Sequence, residues 1–484
     1  MASNAPPKPF VAADEAARAE NVSHTTTLYG GRKASLPLHI AVVGCGLGGL
    51  AAAHALAKAG HRITILEDAP AIGEVGAGIQ VSPNLSRLLI RWGLGDALEK
   101  IAVMPEGIEF RRWQSGDKLG YAAWGNKFAD DYGAPYYHIH RADFHRLLYD
   151  LTIALKDQVT LRLKAHVSSI DPEGPSCKLA SGEVVKCDLI IGADGVKSTI
   201  REAVVGHADS PVPTGDAAYR AIVPSDQLLA HPELVELVEN PRMVGWLGPR
   251  RHIMTYCIRA KKEFNMVLLH PDDGSVESWQ AEGSADKMRA DFEGWDPKLE
   301  KILSFVPSTL RWKLMDRKPL ETWVHPSGKV ALLGDSCHPM LPYRAQGAAM
   351  AVEDGAVLGN LFSRLSHPSQ ITPLLYAYET LRLPRTANVQ ASSRLNQYIF
   401  HLEDGPEQVK RDQEMRQAMH GEEGVNNPNQ WADKRKTVEL MGYDADKAVD
   451  EWWTERGEKE IGRLAVGGPD AAMRVWVQQA EARL

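Results

Sequence analysis

Two short runs, 290 residues apart, carry residue types that can do chemistry: Gly44-Cys45-Gly46-Leu47-Gly48-Gly49 and Gly334-Asp335-Ser336-Cys337-His338-Pro339. The first has the spacing Gly-x-Gly-x-x-Gly. Gly44 permits a tight turn, Gly46 lets backbone approach a pyrophosphate, and Gly49 lets a helix pack closely on the strand before it. Phosphates there meet the unpaired N–H groups of a helix N-terminus. Glu67, eighteen residues beyond Gly49, ends the next strand-like run and can accept hydrogen bonds from ribose hydroxyls. In the second run, Asp335 follows a buried strand. A carboxylate at a strand's C-terminal end faces the usual ligand crevice of an α/β sheet. It can accept from a ligand hydroxyl, or simply cap a helix. Gly347-Ala348-Ala349 then opens a helix whose free N–H groups favour an anion. A third element, Gly192-Ala193-Asp194-Gly195, follows another apolar run.

The elements that must position these residues can be read from apolar periodicity. Leu38 to Val43 is a buried strand, Leu50 to Ala59 a helix closed by Gly60, and Arg62 to Leu66 the next strand. This βαβ unit begins a Rossmann-like parallel sheet. A helix starts near Asn84, another runs from Phe144 to Leu151, and Asp188 to Ile191 is a strand. Residues 211–325 alternate like an antiparallel sheet. Val330 to Leu333 returns to buried strand, and Gln346 to Leu365 is a long apolar helix. The expected class is therefore α/β: a discontinuous nucleotide-binding domain over 37–210 and 326–400, interrupted by a mixed or antiparallel sheet domain over 211–325. A polar arm over 1–36 is expected to be disordered, and 401–484 to form a helical C-terminal extension.

Bulk properties exclude several classes. A length of 484 residues suggests two or three domains. A net charge of −7 argues against nucleic acid as a partner, and no run is apolar enough to span a membrane. The five cysteines have neither CxxC pairing nor zinc spacing, so no metal is expected and a reducing, cytoplasmic compartment is. The terminal Ala482-Arg483-Leu484 is similar to the peroxisomal tripeptide.

On these motifs the chain resembles the FAD-dependent aromatic hydroxylases of the para-hydroxybenzoate hydroxylase type, within them the salicylate hydroxylase-like branch. The resemblance spans about residues 38–395. It rests on Gly44 to Gly49, on Gly76-Ala77-Gly78-Ile79-Gln80, and on Asp194-Gly195 with Ser198 and Arg201. It rests also on the run Gly334 to Leu358, with Tyr378, Glu379, Arg382, Pro384 and Arg385 in support. It implies one non-covalent FAD, a transient NADH or NADPH, and O2 as co-substrate. By position it implies that Glu67 holds the adenosine ribose, Arg141 the ribityl-pyrophosphate region, Asp335 the ribityl chain and Asp194 the pyrophosphate. Gly44, Gly46, Leu47, Gly49, Gly78, Gln80, Gly347 and Ala348 complete the expected cofactor set. Pro339, Pro342 and Gly347 would line the flavin.

The resemblance also lays the inserted sheet over the flavin. Arg220 there can bind a phenolate or carboxylate bidentately. His252 and Tyr256, on one face at even strand spacing, can orient or deprotonate a phenol, or can equally be satisfied core residues. Arg344 stands where relatives carry an apolar residue, and a buried arginine needs an anion: Glu353, Asp354, a phosphate or a substrate carboxylate. The implied activity is NAD(P)H-dependent hydroxylation of a small phenolic or aromatic acid through a flavin C4a-hydroperoxide, with decarboxylation where the attacked carbon bears a carboxylate. The alternative is a tailoring enzyme doing epoxidation or dearomatising hydroxylation. The expected assembly is a monomer or homodimer.

Overall fold

The computed structural model describes residues 26–73, 76–274, 282–420 and 427–462. Most of the expected arm and the terminal Ala482-Arg483-Leu484 lie outside the described residues. Five parallel strands form the nucleotide-binding sheet, in the order Val330–Leu332, Leu189–Gly192, His39–Val43, Arg62–Leu66 and Val159–Arg162. The central strand is buried on both faces, as its unbroken apolar run requires. Val42 pairs with Ile191 on one side and Ile65 on the other.

The chain turns from this strand into the helix Leu47–Lys58, which packs along the helix Gly347–Phe362. Small residues set the distance between them. A Cβ on Gly355 would lie 2.7 Å from the Ala52 nitrogen, and one on Gly359 would lie 2.7 Å from the Ala55 Cβ. Two segments that begin the site are thus clamped by backbone-to-backbone contact.

A second, eight-stranded mixed sheet faces the first across a cavity. Its order is Glu282–Gly283, Thr309–Asp316, Val212–Pro224, Glu263–Pro271, Arg251–Ile258, Met243–Gly248, Gly107–Arg112 and Lys118–Ala123. The last two strands come from the segment expected to belong wholly to the nucleotide-binding domain. Gly107–Arg112 pairs parallel with Met243–Gly248, in register from Ile108–Met243 to Arg112–Leu247. The large sheet therefore also draws on residues 107–123, ahead of the 211–325 segment. Residues 26–36 also differ from a free arm: Leu28 is buried, and the Arg32 guanidinium donates to Asn360 and Ser363. The C-terminal segment contributes the helices Pro406–Met419, Lys434–Met441 and Ala445–Trp452. Among the described residues no helix is long and apolar enough to cross a membrane.

At the centre lies a buried charge network. Asp354 accepts from His338 Nε2 at 2.6 Å, from the Gly334 N–H at 3.1 Å and from Arg382 Nε at 2.7 Å. Glu353 accepts from Arg382 at 2.6 Å, from Arg385 at 2.7 and 2.8 Å, and from Asn84 at 2.7 Å. Burial would push both carboxyls up, but Arg385 and Arg382 beside Glu353, and His338 and Arg382 beside Asp354, hold them below the ordinary carboxylate range. Cys337, His338 and Asp354 converge as metal ligands could. Asp354 there already accepts from Arg382 and His338.

Removing one partner strands a buried charge, which costs about 3–5 kcal/mol. Arg382→Met should therefore lower the unfolding free energy by about that much, read from the denaturant midpoint; a parental midpoint would show that the network is dispensable. Because the folded carboxyl values are depressed, their stabilisation is complete above about pH 4–5, near the ordinary carboxyl values. It is lost as pH falls through the lower folded values.

Candidate active site

The cavity between the two sheets has a volume of about 600 Å³. One wall is the nucleotide-binding turn. Gly46, Leu47 and Gly48 line it, while Gly44 and Gly49 lie behind and shape it. Gly44 has φ +104°, and a Cβ there would lie 2.3 Å from the Ala193 carbonyl oxygen. A Cβ on Gly49 would lie 2.1 Å from the Gly44 carbonyl oxygen. Nothing lies within 4 Å of where a Cβ on Gly46 would sit, so the backbone is bare at the position where a phosphate would approach. Glu67 buttresses the turn: its carboxylate accepts from the Cys45 N–H at 2.8 Å and the Ala69 N–H at 2.9 Å. Each oxygen keeps a lone pair for a hydroxyl donor.

The floor is the loop Leu333 to Ala348. Arg201 pins it, donating to the carbonyls of Ser336 at 2.6 Å and Asp335 at 2.7 Å. Asp335 lines the cavity. Its side chain is open to the cavity by surface area yet enclosed by protein at longer range. That enclosure raises its carboxyl above the ordinary value, against the pull of His338, Arg141 and Arg201. Arg141, Gly78, Gln80, Gly347 and Ala348 also line the cavity. Two helix N-termini, at Leu47 and Gly347, open on it.

Besides Gly44 and Gly49, three expected residues lie outside the cavity lining: Glu67, which buttresses the turn, Asp194 and Pro339. Asp194 does not line the cavity, although Ala193 and Gly195 do. Its carboxylate accepts from Ser198 Oγ at 2.6 Å, and from the N–H groups of Thr199 at 2.9 Å and Ile200 at 3.2 Å. It is spent on orphan donors at the start of the helix Thr199–Val205. Pro339 is likewise behind the wall, its carbonyl accepting from Gln390 at 2.8 Å, while Met340, Leu341 and Pro342 face the cavity.

The opposite wall is the large sheet. Arg220, His252 and Tyr256 all line the cavity. Arg220 stacks on Trp312 at 4.2 Å. Burial lowers the His252 imidazole well below its ordinary value and raises the Tyr256 hydroxyl, so both are neutral near pH 7. The walls meet at Gly78, whose N–H donates to Asn265 Oδ1 at 2.7 Å. A Cβ there would lie 2.4 Å from the Tyr256 ring. Tyr256 is backed by His138, with ring centroids 4.4 Å apart, and burial pushes the His138 imidazole down to about 3.

Arg344 pairs with neither Glu353 nor Asp354, which Arg382, Arg385 and His338 already saturate. It lies buried over the Trp431 ring at 4.8 Å, and burial pushes it down to about 10. Sequence reasoning missed several residues outright. Tyr343, Phe400 and Trp431 line the cavity, and Asp216 and His401 stand behind His252. Tyr343 falls inside the run Gly334 to Leu358 but carries no assigned role there; no motif marks the others, which converge from a strand, the end of the helix Ile371–Phe400 and the C-terminal segment.

The described residues fit a dinucleotide flavin: bare backbone at the turn, two helix ends, an arginine and an aspartate. The family model for an FAD binding domain matches residues 38–393. The chain is 40% identical to the FAD-dependent monooxygenase OpS4 of Beauveria bassiana, over 86% of this chain and 97% of that one. It is 37% identical to the 3-amino-4-hydroxybenzoate 2-monooxygenase PtmB3 of Streptomyces platensis, over 78% and 92%. It is 36% identical to the 6-hydroxynicotinate 3-monooxygenase of Pseudomonas fluorescens, over 75% and 92%. A salicylate hydroxylase–substrate complex superposes with a TM-score of 0.70 at 25% identity, covering 86% of this chain and 97% of that one.

Asp335→Ala should release FAD without unfolding the chain. Losing a charge-assisted hydrogen bond costs about 1.5–3 kcal/mol, about one to two decades in affinity. A variant that retains FAD through dilution and gel filtration as the parent does would remove Asp335 from cofactor binding.

Proposed function

The chain belongs to the FAD binding domain family and is an FAD-dependent monooxygenase, and on that premise we propose that it hydroxylates a small phenolic aromatic acid at the expense of NADH or NADPH. The observation that carries this reading is the far wall of the cavity. An otherwise apolar sheet face presents one arginine, one neutral imidazole and one neutral phenol to the same space. That set suits a ring bearing a hydroxyl and an anionic group. Two relatives are named for hydroxylated aromatic acids, 3-amino-4-hydroxybenzoate and 6-hydroxynicotinate, which agrees with it.

Bound FAD, once reduced, supplies the activation of oxygen. The protein's residues do the rest. Glu67, Arg141 and Asp335 would hold ribose, phosphate and ribityl groups, and the N-terminus of Gly347–Phe362 would favour negative charge at the cofactor's edge. Arg220 receives the substrate's anionic group, its charge partly balanced by the Trp312 face. An anion entering an apolar pocket needs such a partner. His252 takes the phenol proton, which raises the electron density of the ring carbon to be hydroxylated. Tyr256 orients the resulting oxyanion by donating a hydrogen bond. Met340, Leu341 and Pro342 exclude water from the reacting face.

The test is NADH and NADPH oxidation against a panel of hydroxybenzoates, aminohydroxybenzoates and hydroxynicotinates, with product mass. Gain of one oxygen supports the reading, and gain of oxygen with loss of CO2 specifies the decarboxylating form. Oxidation without any hydroxylated product across the panel would redirect the search to larger, tailored substrates. Arg220→Met should raise KM or lower turnover at least about tenfold, about 1.4 kcal/mol, with FAD content unchanged. Tyr256→Phe should mainly increase release of hydrogen peroxide. Parental turnover and coupling in both variants would place substrate recognition elsewhere.

A further inference from the structure

We propose that Trp431, held in place by Arg344, sets the size limit of the substrate pocket and restricts it to acids with a single aromatic ring. Trp431 lines the cavity, although it comes from a turn in the C-terminal segment, just before the helix Lys434–Met441. Its indole ends a row of rings that begins on the sheet wall. Tyr256 meets His138 with centroids 4.4 Å apart, His138 meets Tyr136 at 5.8 Å, and Tyr136 meets Trp431 at 6.4 Å. Tyr256 and Trp431 are thus parts of one aromatic wall. A substrate that docks its hydroxyl on Tyr256 has this wall beside it, and a larger ring system extending along it meets the indole.

The indole has nowhere to withdraw. It is 5% exposed, with the Arg344 guanidinium over its ring at 4.8 Å and the Trp124 ring at 5.8 Å. Arg344 Nε and Nη1 have no hydrogen-bond partner among the described residues, so stacking on the indole is the contact this buried cation makes. Such a contact is strongest where water is excluded. Asp433, two residues beyond Trp431, adds a longer-range attraction for the same guanidinium. The turn itself is pinned. Asn429 Oδ1 accepts from the Trp431 N–H at 3.0 Å. Gln430 Oε1 accepts from Ser392 Oγ at 2.7 Å, and Gln430 Nε2 donates to the Ser392 carbonyl at 3.2 Å and to Asn396 Oδ1. Asn396 Nδ2 donates in turn to the carbonyl of Tyr343 at 2.8 Å, the residue before Arg344. Asn429 and Gln430 are both buried, and their bonds serve to fix a turn whose cavity-facing side chain is Trp431.

A wall packed in this way does not yield to a larger guest. Without the indole, the surrounding groups would stay where they are. Trp124 and Tyr136 stack on each other at 4.5 Å, and the turn is held by amide bonds that do not involve the Trp431 side chain. Limited collapse leaves a cavity, and a cavity walled by rings accepts an aromatic guest. An indole is itself two fused rings, so its removal frees the space of an additional fused ring on the substrate.

The size limit rests on the aromatic-acid reading above, and the test separates the two. The FAD-loaded parent, Trp431→Ala, Trp431→Phe and Arg344→Met are assayed with the one-ring acids 3-amino-4-hydroxybenzoate and 6-hydroxynicotinate, and with the two-ring acid 1-hydroxy-2-naphthoate. Hydroxylated product gives kcat/KM, and the change in flavin absorbance on titration gives Kd for each acid. FAD content and thermal midpoint are the folding controls. Trp431→Ala should raise the kcat/KM ratio of two-ring over one-ring acid at least about tenfold, with tighter binding of the two-ring acid. Trp431→Phe should shift the ratio in the same direction by less. So should Arg344→Met, which loosens the indole without removing it. A merely structural tryptophan would depress both classes together and leave the ratio unchanged. If Trp431→Ala loses FAD or fails to fold, Trp431→Phe and Arg344→Met decide. A parental ratio in the folded variants, or a parent that already takes the two-ring acid as readily as the one-ring acids, would overturn the size limit while leaving the hydroxylase reading intact. A parent that forms product with neither class counts against the reading itself, and the size limit falls with it.

Discussion

Two adjacent carboxylates, Glu353 and Asp354, sit on one turn of a buried helix and are neutralised by Arg382, Arg385 and His338. Everything at the floor of the site depends on that arrangement. Two unpaired carboxylates in an apolar interior would be prohibitive. Their pairing therefore fixes which segments meet: the helix Gly347–Phe362, the long helix Ile371–Phe400, the loop at Gly334 and His338, and Asn84 from the helix Pro83–Arg91. The loop that carries Asp335 is held from beneath by this network and from the side by Arg201. The Asp335 carboxylate, which lines the cavity, is thus placed by charges that never touch it.

The same network reaches outward. Arg385 also donates to the carbonyls of Glu439 and Leu440 and stacks on Tyr443 at 3.8 Å. Arg91 grips Asp444 and Asp446 nearby. The C-terminal segment is therefore fastened to the cofactor-binding core, and through Trp431 it supplies part of the cavity wall. Arg344 belongs to this closure: its guanidinium lies over the Trp431 ring face, and among the described residues no ion pair with an acid is formed.

The two walls of the cavity divide the chemistry by their electrostatics. The nucleotide-binding side offers fixed dipoles, bare N–H groups and carboxylates suited to sugar and phosphate. The sheet side is apolar and drives His252 and Tyr256 to their neutral forms. Gly78 sets the spacing between the walls, because any side chain there would strike Tyr256 and Asn265. Backbone contact at one glycine thereby fixes the separation of the two walls.

The sequence by itself determined the local elements and the motif-bearing half of the site. The glycine turn, the strand ends at Glu67 and Asp335, and the helix opening at Gly347 are legible because their chemistry is local: spacing, turn geometry and apolar period suffice. The even spacing of His252 and Tyr256 put both on one strand face for the same reason. Tertiary structure decided the rest. Asp194 and Pro339 sit beside cavity-lining neighbours, yet a helix start and a glutamine claim them, and only packing shows which polar atoms are already spent. Strands 107–112 and 118–123 joined the far sheet because pairing partners are chosen across the fold, by register against Met243–Gly248. Asp216, His252 and His401 come from three distant segments that carry no shared pattern. Their hydrogen bonds exist only because the sheet and the end of a long helix meet, and such a contact leaves no period in the chain to read.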